Sequence, residues 1–260
     1  MQLQINMNIK KWVSAAFILF LLHTLSFGLL HNQLLQYWPM DTISLINRAT
    51  LLATILLLIW GSGGWPLLAL TKPGNKREVW ILGPMFVLGG LTFISDKIDW
   101  QHSSLLSMIV LALIMALGEE LLFRGYILSL LEKIGRLKAL LITTFLFSAT
   151  NVVGFMVPVI FGAVDYRMVF IQILFFAAIG LILGAARLTS NSLWMVVIAN
   201  FVFKFSAFVA SGGATEVWVY SESTMKALAV MSILLFVWGL FCGWLVSRTK
   251  PQTEALQELV

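Results

Sequence analysis

The sequence predicts an all-α, polytopic membrane protein with about eight transmembrane helices in one bundle, and three observations carry that prediction. Of its 260 residues, 60% are apolar and only 11% are Asp, Glu, Lys or Arg, and the mean hydropathy is +0.93. A soluble domain carries about 25% charged residues to solvate its surface, so the bilayer is the expected solvent. The second observation is that the apolar residues fall into stretches close to the ~20 residues that cross ~30 Å of hydrocarbon. The third is that basic residues gather in alternate connecting segments, as they do when they orient a chain in a membrane.

The first stretch, Trp12 to Leu30, follows Lys10 and Lys11. It is too long for a usual signal-peptide core and has no small-residue cleavage site after it, so it reads as a retained span. Ala49 to Leu70 comes next, then Val79 to Ile94, which is short and carries Gly83, Pro84, Gly89 and Gly90. Leu105 to Leu130, Ala139 to Phe161, Met168 to Ala186, Leu193 to Val209 and Ala227 to Val246 complete the set. Each must be helical, because backbone groups left unpaired in lipid are costly.

With the N-terminus inside, the inner segments hold Lys10, Lys11, Lys72, Lys76, Arg77, Lys133, Arg136, Lys138, Arg187, Arg248 and Lys250, whereas the outer ones hold only Arg48, Lys97, Arg167 and Lys226. Both termini are therefore expected on the cytoplasmic side. The longest loops fall around His31 to Ile43 and Ser211 to Thr224, and no repeat or linker divides the chain, so residues 1–260 read as a single integral-membrane domain. Gly180 with Gly184, and Gly239 with Gly243, are small-x-x-x-small pairs that allow close helix approach. The polar tail from Pro251, with Glu254 and Glu258 at helical spacing, reads as a frayed or surface helix.

The net charge is +5, but the basic residues sit mostly between apolar runs, so orientation accounts for them and nucleic acid is set aside as a partner. The single cysteine, Cys242, lies inside an apolar run and offers neither a disulfide nor a cysteine metal site.

Of the 12 acidic residues, only Glu119 and Glu120 lie well inside a span, in the run from Met115 to Gly125 that also holds Arg124. Ionisable side chains at mid-bilayer are costly and mark functional sites. Glu120 and Arg124 are one turn apart and can pair. Glu119 points about 100° away on the helical wheel, leaving it to face the bundle interior with less compensation, as a general base requires. A buried ionic clasp without chemistry is the other reading of the same three residues. Asn151, Asn200 and Lys204 are polar residues in later spans. At a rise of ~1.5 Å per residue, Glu119 lies about 21 Å from the outer end of its span and the other three roughly 10 to 18 Å from the inner ends of theirs. All four can converge near mid-membrane, and Asn200 and Lys204 share a helix face.

The run Glu119-Glu120-Leu121-Leu122-Phe123-Arg124 resembles the first motif, Glu-Glu-x-x-x-Arg, of the CPBP family of intramembrane proteases. That family includes type II CAAX prenyl endopeptidases and lysostaphin-resistance-protein-like membrane proteins. The stretch Phe147-Ser148-Ala149-Thr150-Asn151 occupies the place of its second motif, Phe-x-x-x-His. Asn191-Ser192-Leu193-Trp194, leading to Asn200-Phe201-Val202-Phe203-Lys204, occupies that of the third, His-x-x-x-Asn. The resemblance covers roughly residues 105–209. It implies an eight-helix membrane domain with the first motif on the fourth helix, a bacterial plasma membrane as its location, and a peptide or membrane-anchored substrate.

The resemblance also implies roles. The first glutamate and the second-motif histidine activate a water, and the third motif stabilises the oxyanion. Here both histidine positions are asparagine and the last position is Lys204, while His23, His31 and His102 fall outside the motifs. A divalent metal is conceivable only by analogy with the family, since its histidine ligands are absent, and no other cofactor is expected. Glu119 remains available as base, Glu120 and Arg124 as positioning groups, and Asn200 as an oxyanion donor. Asn151 cannot stand in for a proton-accepting imidazole, because an amide does not titrate near neutral pH. Lys204 within reach of Glu119 would instead turn the base into an ion-pair partner.

Three functions therefore compete: an intramembrane endopeptidase, a non-catalytic relative that binds a membrane partner in an immunity or regulatory role, and an ion-coupled transporter. Against the transporter stand the lack of an internal repeat and the compact placement of the polar residues.

Overall fold

The computed structural model describes residues 9–34, 40–68, 70, 76–94, 105–160, 166–190, 192–211 and 222–248. Among these, eight long helices account for the eight apolar stretches: α1 (Ile9–Leu34), α2 (Met40–Gly61), α3 (Lys76–Ile94), α4 (Leu105–Glu119), α5 (Arg136–Ile160), α6 (Tyr166–Ser190), α7 (Trp194–Ser211) and α8 (Glu222–Arg248). The chain is an all-α polytopic membrane bundle. Thr42–Gly61, Leu105–Ile134, Arg136–Val153, Tyr166–Ser190 and Met225–Arg248 are long and apolar enough to cross a membrane, and Lys11–Leu25 and Trp194–Val209 are shorter apolar helices. α3 contains the expected short span and holds Pro84 within it.

Two expectations change in detail. Of the expected loop around His31 to Ile43, the described residues are helical, because α1 runs on to Leu34 and α2 already begins at Met40. More consequentially, α4 does not continue as a regular α-helix through the charged motif. From Glu120 to Ile127 it widens into a π-helix, with the Leu128 amide bonded to the Phe123 carbonyl five residues back, before one last α-turn at Leu128–Leu131. Such widened turns are frequent at functional sites. The C-terminal tail from Pro251 lies outside the described residues, as do the side chains of His31 and His102.

Short links set the helix order. Gly135, at φ 113°, takes a backbone conformation that favours glycine and turns the chain from the end of α4 into α5. Between α6 and α7, the Ser190 hydroxyl accepts from the Ser192 amide at 3.1 Å and donates to the Ala186 carbonyl at 3.1 Å. That tight turn starts α7 almost directly where α6 stops.

α6 and α8 form the most extensive helix pair, α5 packs against α6 and also meets α8, and α7 lies chiefly against α3 and α4. The glycine pairs sit in these contacts, as their spacing implies. A Cβ on Gly184 would come within 2.5 Å of Leu140, one on Gly180 within 3.0 Å of Thr144, and one on Gly239 within 2.9 Å of Leu181. An aromatic chain crosses the bundle: Phe20 of α1 meets Phe123 at 5.4 Å, Phe123 meets Phe147 of α5 at 5.3 Å, and Phe147 meets Phe176 of α6 at 6.2 Å. Phe175 and Phe203 of α7, 5.7 Å apart, carry contact with the neighbouring aromatic across to α7.

Candidate functional site

The first-motif residues are sealed inside the bundle: Glu120 is 0% exposed, Arg124 1% and Glu119 4%. They survive there because each charge has a partner close by. Arg124 donates from one terminal nitrogen to Glu120 Oε1 at 3.2 Å, the one-turn pairing implied by their spacing. Its guanidinium also lies 4.0 Å from the centre of the Phe147 ring and 6.0 Å from that of Phe123. A ring face attracts a cation most when both are desolvated, so α5 supports Arg124 without spending a charge.

α7 supplies the rest. The Asn200 amide nitrogen donates to Glu120 Oε1 at 2.7 Å and to Glu119 Oε2 at 3.3 Å. One turn further on, Lys204 Nζ lies 2.9 Å from Glu119 Oε1. Two carboxylates thus face one guanidinium and one ammonium, and the formal charges of these four groups sum to zero. With a side chain 13% exposed, Lys204 is less enclosed than Glu119, at 5%.

This geometry corrects the expectation that Glu119 faces the interior with less compensation. The π-helical widening begins at Glu120, and both carboxylates reach the same asparagine instead of diverging as on a regular wheel. Glu119 has an ion pair on one oxygen and a hydrogen bond on the other. A carboxylate offers about four lone-pair sites, so acceptor capacity remains, but its negative charge is already matched. Both hydrogens of the Asn200 amide are likewise directed at carboxylates, which leaves none for an oxyanion in this arrangement.

Asn151 stands apart. Its amide nitrogen donates to the Phe147 carbonyl of its own helix at 2.9 Å, and the side chain is only half-buried. The second motif contributes to the charged cluster through Phe147, the residue that opens it, one turn away. The sequence carried a signal for that contact, since an arginine inside an apolar span needs a surface for its planar face as well as an anion for its edge. His23 hydrogen-bonds the Asn47 carbonyl at 3.0 Å, linking α1 to α2. Cys242 is buried in α8.

The donor set does not suit a divalent cation. Among the described residues no group of three or more His, Cys, Asp or Glu side chains comes together. The position beside Glu119 that a cation would take is held by the Lys204 ammonium.

Fold and site together define an all-helical integral membrane protein with a self-neutralised acid–base cluster between its fourth and seventh helices. Residues 101–206 match the family model of Rce1-like proteins, described as type II CAAX prenyl endopeptidase Rce1-like. That match covers the segment in which the motifs resemble the CPBP family, and it supports a CAAX-type intramembrane protease kind of function. Comparison with curated proteins gave no match.

Proposed function

We propose that the protein is an intramembrane endopeptidase homologue of the type II CAAX kind, binding a peptide or membrane-anchored segment beside Glu119, with hydrolysis held down by Lys204. The observation that carries this reading is the 2.9 Å contact between Lys204 Nζ and Glu119 Oε1. Glu119 acts as base only on water that displaces the ammonium, because a carboxylate matched by a cation is a poor proton acceptor. Glu120 and Arg124 hold the π-helical turn and the Asn200 side chain in place. In the same reading Lys133, Arg136 and Lys138, at the α4–α5 link, face the cytoplasm. A cysteine at Lys133, labelled by an impermeant reagent only from that side, checks this orientation.

The test of activity uses the purified full chain, reconstituted in bilayer and presented with membrane-anchored peptides. Wild type is expected to cleave slowly, Glu119→Ala not at all, and Lys204→Asn faster than wild type. Cleavage that persists in Glu119→Ala would sink the assignment of the base.

A second reading is favoured by the pairing of charges within the cluster. Glu119 meets Lys204 and Asn200, and Glu120 meets Arg124 and Asn200, while Glu120 Oε2, Arg124 Nε and the second terminal nitrogen of Arg124 keep no hydrogen bond. Such pairing suits a non-catalytic relative that recognises a membrane partner by contact. Absence of cleavage in wild type and in Lys204→Asn, with binding of the same peptides retained, selects that role.

A further inference from the structure

We propose that Gly89 on α3 is a positioning residue for the charged cluster, which it acts on through the back of α7. Asn200 and Lys204 are one turn apart on α7 and both meet the carboxylates of the α4 segment. Val202 and Ser206 are also one turn apart, and by helical rotation their face is about 160° from the first. It is this opposite face that α3 supports. A Cβ placed on Gly89 would lie 2.9 Å from Val202 Cγ1 and 3.6 Å from Ser206 Oγ and from the Val202 carbonyl. α7 is thus held between Gly89 on one side and Glu119 and Glu120 on the other.

A side chain at position 89 cannot be absorbed by Val202 alone. Valine is stiff at its single side-chain torsion, and the neighbouring contacts in the same direction are a backbone carbonyl and the buried Ser206, whose hydroxyl is spent on the Phe203 carbonyl at 2.7 Å. Nor is α3 free to step back. Trp238 of α8 donates its indole N–H to the Ile81 carbonyl at 3.1 Å, and Ile81, Leu82 and Met85 are buried in the core. The displacement therefore falls on α7, which cannot move straight toward α4, because the contacts there are already closed at 2.7 and 2.9 Å; it must slide or turn, and that takes Lys204 out of register with Glu119. α3 carries no motif residue and lies outside the matched segment 101–206. Its part in the site is visible only from the packing.

The experiment reads the ion pair itself, so it is independent of whether the site hydrolyses anything. The full chain in lipid vesicles is treated with formaldehyde and dimethylamine–borane, and methylation of Lys204 is followed by peptide mass spectrometry against the exposed Lys226. An amine freed from a charge-assisted contact is open to the reagent and is expected to react about tenfold faster or more. Gly89→Val should raise the Lys204 rate by that factor with Lys226 unchanged. Val202→Phe, which enlarges the same contact from the other helix, should do likewise. Gly89→Val combined with Val202→Ala, which restores the space, should return the rate to that of wild type. If Gly89→Val does not fold, Gly89→Ala with and without Val202→Ala reads the same effect at smaller amplitude. An unchanged Lys204 rate in Gly89→Ala and Val202→Phe overturns the proposal, as does a rise that Val202→Ala does not reverse.

Discussion

Two helix contacts in this bundle solve the same problem by opposite means. Between α6 and its neighbours α5 and α8, backbones approach through Gly180, Gly184 and Gly239, and what fills the space is aliphatic: Leu140, Leu181 and the Thr144 methyl. Between α4 and α7, ion pairs and amide hydrogen bonds tie Glu119, Glu120, Asn200 and Lys204 together. In a bilayer, apolar side chains gain little by leaving lipid for one another, so the first contact depends on shape. The second depends on charge matching, and losing one member strands another in a medium that cannot solvate it. The comparison teaches that the glycine contact tolerates partial loss whereas the charged contact behaves as a unit.

The largest expected effect tests that claim directly. Arg124→Met leaves Glu120 buried without its guanidinium and is expected to cost about 3–5 kcal/mol, read as a fall in the unfolding midpoint in detergent. If Arg124→Met were no worse than the glycine substitutions below, the unit behaviour would be refuted. Asn200→Ala removes a donor shared by two carboxylates and should cost about 1.5–3 kcal/mol by the same measurement. A negligible change would mean that the amide bridge is incidental.

Shape is tested next. Gly184→Val puts a branched side chain where even a Cβ comes within 2.5 Å of Leu140, and overpacking of this kind costs about 1–3 kcal/mol. Leu140→Ala in the same chain should recover most of the loss, a rescue that no single exchange offers in the charged contact. Asn151→Ala should be the mildest, at about 0.5–1 kcal/mol, since it breaks one bond to its own helix. A larger effect on stability would give Asn151 a partner beyond Phe147 and draw the second motif into the cluster.

Much of this was legible in the chain. Each of the eight stretches falls largely within one of α1 to α8, because lipid leaves few alternatives to a helix, although the second, Ala49 to Leu70, leaves the α-helix at Gly61 and five segments among the described residues are long and apolar enough to cross a membrane. Glu119, Glu120 and Arg124 stood out for their cost in hydrocarbon, and the one-turn spacings correctly paired Glu120 with Arg124 and placed Asn200 and Lys204 on one face. Asn151 misled because polarity and depth say nothing about the direction in which an amide points. Phe147, quoted only as the opening of a motif, proved to be the ring beneath Arg124.

Local pattern by itself determined the membrane class and singled out Glu119, Glu120 and Arg124, because each follows from the free energy of placing one side chain or one backbone segment in lipid, but it did not single out Glu78 and Arg187, which are equally buried. Which carboxylate meets which cation was decided only by the tertiary structure. Glu119 belongs to Lys204 across a sequence separation of 85 residues, a widened turn at Glu120 and the seat that Gly89 provides for α7. Those are relations between helices, and a Coulombic contact of 2.9 Å depends on relative position to within a fraction of an ångström, which no spacing along a single helix encodes.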